Sequence, residues 1–165
     1  MESKKIITWA SITAGIALLW WMLKPRPASN RRRGTIREVF QAAIISKSTS
    51  DWVDYARIAP EEAADIQSRT ETRHDFSGWS RVLTASDIRH ILQGHGHDTP
   101  PITRQHFDRL PDLLANPISQ HIKKRPGKLD CLVSVINSGG KLLIIEEVRR
   151  GRRKLAIKTI YYSKK

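Results

Sequence analysis

The sequence predicts an α+β domain behind an N-terminal transmembrane helix. Three observations carry this: an uncharged apolar run over 6–23, apolar residues at helical spacing from Thr35 to Asn116, and a spacing of two from Leu129 onward. With 165 residues there is room for one modest domain. The expected organisation is a tail and single span over 1–23, a basic proline-containing linker over 24–34, and a domain over 35–165 in which helices pack on a small C-terminal antiparallel β-meander.

The run from Ile6 to Leu23 has the length of a bilayer-spanning helix, and Trp20, Trp21, Lys24 and Arg26 resemble an interfacial anchor with a basic flank. No small-residue cleavage site follows, so an uncleaved anchor is expected, and the heavier downstream charge favours a cytoplasmic C-terminal domain. Pro25, Pro27, Ser29, Asn30 and Arg31 to Arg33 read as a solvated linker.

Ile36, Val39, Phe40 and Ala43 then lie at helical spacing; Trp52, Val53 and Ala56 suggest a second helix, which Pro60 restarts. "SRVL" reads as a short extended run leading into "TASDIRHILQG", where Thr84 and Asp87 have capping-box spacing and Gly94 is the expected stop. Ala85, Ile88, Ile91 and Leu92 form one stripe on that helix, with His90 almost opposite. A further helix capped by Thr103 turns Phe107, Leu110, Leu113 and Leu114 inward and ends at Asn116-Pro117, with His106 on its outer side and no evident partner. The runs "LDCLVSVIN", "KLLIIEEVR" and "KLAIKTIYY", joined by short glycine-containing turns, are three antiparallel strands.

A formal charge of +13 argues against an uncharged or cationic partner and favours polyanions, either nucleic acid or an anionic membrane surface. The single cysteine, Cys131, sits in an apolar run and can form no internal disulfide. His90 and His95 lack the four-residue spacing of a helical zinc pair, so no metal and no other cofactor is expected. Imidazoles near a helix end suit proton transfer, because they titrate closest to neutrality. Arg149, Arg150, Arg152, Arg153 and Lys154 crowd one hairpin turn into a cationic tip suited to phosphates. Strict alternation sends Lys158 and Thr159 to opposite faces unless a bulge intervenes, and lets only one of Glu146 and Glu147 face an active surface.

The segments "FSGWSRVLTASDIRHILQGHG", "PITRQHFDRLPDLLANP" and "LLIIEEVRRGRRKLAIKTIYY" resemble the phage-associated nucleases grouped with barnase, EndoU, the tRNA-cutting colicins and RelE, over about Phe76 to Tyr162. The resemblance implies helices on a small antiparallel sheet and metal-independent RNA cleavage. It singles out His90 and His95 from "H-I-L-x-x-H-G" and Lys158 with Thr159 from "K-T-x-Y", with Glu147 and Tyr161 in second rank. The function this implies is a phage- or prophage-encoded, membrane-anchored, toxin-like hydrolase in which a histidine takes the ribose 2′-hydroxyl proton and a 2′,3′-cyclic phosphate is left. Its partners would be RNA, such as tRNA or another structured RNA, the membrane through residues 6–23, and an unidentified immunity or virion protein. The alternative is a membrane-tethered accessory protein that binds nucleic acid without cutting it.

Overall fold

The computed structural model describes residues 31–163. Its elements run α1 (Ile36–Ile44), β1 (Trp52–Arg57), α2 (Pro60–Thr70), β2 (Ser80–Thr84), α3 (Ala85–His95), α4 (Arg104–Asp108), α5 (Leu110–Ala115), β3 (Ser119–Lys123), β4 (Cys131–Asn137), β5 (Lys141–Arg149), a 3-10 turn (Arg150–Arg152) and β6 (Lys154–Tyr162).

The expected fold class is corrected. The sheet has six strands, not three, in the order β1-β2-β6-β5-β4-β3, and β2 pairs with β6 in parallel, so the described residues form a mixed α/β domain with five helices. The expected transmembrane helix over 6–23 lies outside the described residues, and among those described no helix is long and apolar enough to cross a membrane.

The segment expected to be a second helix is instead edge strand β1. Val53 and Tyr55 alternate into the core while Trp52 and Asp54 face the other way, as a strand rich in β-branched and aromatic residues does. Arg31 to Arg33, expected in the linker, lie along this edge: Trp52 N–H donates to the Arg31 carbonyl at 3.1 Å, Arg33 N–H to the Trp52 carbonyl at 2.7 Å, and Arg33 pairs with Asp51 at 2.8 Å. Thr35 and Glu38 form a reciprocal capping box that starts α1.

Two apolar clusters cover one face of the sheet. Val39, Leu83, Ile88, Ile91, Phe107, Leu110, Ile144 and Ile160 belong to the cluster under α1, α3, α4 and α5; Ile58, Ile66, Phe76, Leu132, Val148 and Leu155 belong to the one under α2. Along β5 the residues Leu142, Ile144, Glu146 and Val148 all point to this face, so Glu146 lies where the clusters meet. There Arg81 donates to Glu146 at 3.1 Å and also pairs with Glu62, while the Tyr55 hydroxyl donates to Glu146 at 3.5 Å. Burial would lower the Arg81 pKa, but Glu146, Tyr55 and Glu62 outweigh it and keep the guanidinium charged. Burial raises the Glu146 carboxyl against the pull of Arg81, and burial followed by the Glu146 charge pushes Tyr55 well up.

Candidate active site

Among the described residues, no helix of either cluster lies on the opposite, open face of the sheet, although its central residues Val82, Ala156, Cys131, Val133 and Val135 are themselves buried. By pairing register it presents Trp52 and Asp54 from β1, Thr84 from β2, Lys154, Thr159 and Tyr161 from β6, and Glu147 and Arg149 from β5. A bulge in β6 makes this possible. Ile157 pairs with Glu146 and Thr159 with Ile145, which leaves Lys158 as an extra, exposed residue without a partner on β5. The register beyond it is preserved: Ile160 returns to the core opposite Ile144, while Thr159 and Tyr161 stay on the open face.

The strand β2 runs directly into α3, with Thr84 as N-cap accepting from Asp87 N–H at 3.1 Å. The helix does not stop at Gly94. It continues to His95 and is capped by Gly96, where an added Cβ would come within 2.5 Å of the Leu92 carbonyl oxygen. His95 is therefore held on the last helical turn. Its ring stacks on Tyr161, with centroids 5.3 Å apart at 25°, and its Nδ1 lies 2.8 Å from the Asp98 carboxylate. With Nδ1–H donating to Asp98, Nε2 is left as an acceptor. The loop that brings Asp98 round is tied back to the helix end, since Asp98 and Ile102 both donate to the His95 carbonyl.

His90 is brought elsewhere. It is exposed and lines, with Lys47, Ser86, Arg89 and His97, a shallow groove between α1 and α3. Glu147 lies on the open face but is paired with Arg149 at 3.2 Å and Arg125 at 3.9 Å; Glu146 is the buried member of that pair of carboxylates.

The cationic tip divides. Arg150 is bound to Asp130 at 2.8 Å, and Arg153 donates to the Ser77 carbonyl at 2.9 Å, so both brace the turn. Arg149, Arg152 and Lys154 instead converge with Trp52, Val82 and Thr84 on a pocket of about 340 Å³.

Sequence reasoning missed two participants at the site, Asp98 and the charge of Asp87, and away from the site it left His106 without its partner. Asp98 follows His95 by three residues, a separation that would have drawn notice had the helix been extended through Gly94. The Asp87 carboxyl is raised by burial, against the pull of Thr84, Arg149 and Lys158, which places it in the field of two of the site's cations. His106, without an evident partner in sequence, accepts from Thr103 N–H at Nδ1 (3.0 Å) and meets the Tyr162 hydroxyl through Nε2 at 3.0 Å; that hydroxyl donates to the Ser138 carbonyl at 2.8 Å. Its pKa is lowered by burial, in keeping with a neutral ring whose Nδ1 is an acceptor. No group of three or more His, Cys, Asp or Glu side chains able to hold a metal ion occurs among the described residues.

No protein-family model matches the chain, and no curated protein or solved structure is significantly similar to it.

Proposed function

We propose that the chain is a metal-independent endoribonuclease acting on the open face of its sheet. The observation that supports this most is the His95 imidazole, oriented by Asp98 at Nδ1, stacked on Tyr161 and set beside the strand that carries Thr159 and Lys158. His95 Nε2 takes the proton of a ribose 2′-hydroxyl, whose oxygen attacks the adjacent phosphorus. The exposed Lys158 ammonium offsets the charge that gathers on the phosphoryl oxygens, and the Thr159 hydroxyl donates a hydrogen bond to one of them. The P–O5′ bond breaks, the 5′-oxygen takes a proton from Lys158 or solvent, and a 2′,3′-cyclic phosphate remains.

One observation favours a second reading, binding without cleavage. His90, the other imidazole of the expected acid–base pair, lines the α1–α3 groove and leaves the site with a single histidine. Incubation of the purified chain with RNA in EDTA, followed by analysis of product ends, separates the two. The enzyme reading requires 2′,3′-cyclic ends that disappear in folded His95→Ala. Retention of intact RNA by folded wild type would assign a binding protein instead.

A further inference from the structure

The pocket beside the cationic tip has the composition of a nucleotide subsite. One wall supplies three cations: Arg149 and Lys154, which are cross-strand partners, and Arg152, which has no ion pair among the described residues. The rest combines the Val82 side chain and the Trp52 indole with the hydroxyl-bearing Thr49, Ser50 and Thr84. That indole is fixed before any ligand arrives. Lys154 Nζ lies 4.2 Å and the Arg32 guanidinium 5.6 Å from its ring, and Asp54 ties both cations down at 3.2 and 3.4 Å. A volume of about 340 Å³ is at the small end of ligand pockets and suits a single nucleotide. The pocket also lies on the same open face as Thr159 and Tyr161, towards the start of β6 and about 13 Å from Thr159 at the usual rise per strand residue, counted along the unbulged partner strand.

We propose that this pocket holds one nucleotide of a bound RNA strand, its phosphate between Arg149, Arg152 and Lys154 and its base beside Trp52. The identity of the strand rests on the ribonuclease reading; the pocket's affinity for a nucleotide does not. Occupancy here would hold the strand in register a few nucleotides from His95, so the site selects for a substrate that extends past the cleavage point.

Binding of adenosine 5′-monophosphate to the full chain tests this without any turnover. The nucleotide should bind, inorganic phosphate should compete, adenosine should not, and affinity should fall as salt rises. Arg152→Ala should weaken binding about tenfold through loss of a charge-assisted contact. Trp52→Leu should weaken the nucleotide about tenfold while leaving phosphate within about twofold. Arg37→Ala, an exposed charge on α1, controls for net charge. Equal affinities of the Arg152 and Arg37 variants would overturn the pocket assignment, as would absence of binding by folded wild type. An uncleavable 2′-O-methyl oligoribonucleotide should displace the nucleotide; failure to do so assigns the pocket to free nucleotides and overturns the strand proposal. Cleavage with no nucleotide binding would sink the pocket alone, and nucleotide binding with no cleavage would sink the ribonuclease reading alone.

Discussion

Replacing Arg81 by methionine tests the account of the buried charge between the two apolar clusters. Arg81 is 3 % exposed and Glu146 fully buried, so solvent cannot reach the carboxylate that the substitution leaves behind. Removing one partner of a buried ion pair costs about 3–5 kcal/mol, a large share of the ~5–15 kcal/mol that holds a domain of this size together. The sign with pH follows from Glu146, whose carboxyl is raised by burial even with Arg81 present. A raised carboxyl contributes stability that is complete below its unfolded value, about 4.3, and lost as pH climbs through the folded one. Without Arg81, which pulls that value down, the loss should deepen at neutral pH and shrink on acidification. Urea unfolding of Arg81→Met at pH 7 and near pH 4.5 measures both, and adding Glu146→Gln should recover at least half the neutral-pH loss by removing the stranded charge while keeping an acceptor for Tyr55. A deficit below ~1 kcal/mol at pH 7, the range of an exposed pair, would refute the reasoning.

Three further outcomes are expected. His95→Ala should reduce RNA cleavage by about 10²–10⁴-fold, the range of a general base, whereas His90→Ala should stay within about twofold, as initial rates on one RNA substrate will show. Asp98→Asn should lose no more than about fivefold in the same assay, because His95 and Asp98 are 30 % and 29 % exposed and a solvated pair contributes about 1 kcal/mol or less. A lowered His106 contributes stability that is present above the unfolded histidine value of about 6.5 and lost as pH falls through the folded one. His106→Gln, which keeps the reciprocal cap with Thr103, should flatten that decline in thermal midpoint; an unchanged slope would remove the assignment.

Much of the fold was legible because local rules were obeyed. Thr84 and Asp87 start α3, Pro60 opens α2, and the three C-terminal runs became β4, β5 and β6. What stayed hidden was non-local. Residues 52–56 fit either period over so short a run, and only pairing with β2 makes them a strand. The edge strand β3, "SQHIK", turns Gln120 inward and has no apolar run to announce it. The parallel β2–β6 contact joins segments with no turn signal between them, so no short-range cue could reveal it. At the candidate site, the resemblance singled out Tyr161, Thr159 and Lys158 on the closing strand, but the pairing of His95 with Asp98 depended on Gly94 remaining helical, and glycine is tolerated inside helices at a modest cost.

The bulge in β6 has one more effect. Because Ile157 and Thr159 keep the partners that an uninterrupted ladder would give them, Lys158 is a surplus residue that can be excised, backbone included, without inverting Ile160 or Tyr162. A lineage could therefore acquire or discard this ammonium group by a single codon insertion or deletion, leaving the architecture intact while the chemistry of the face changes.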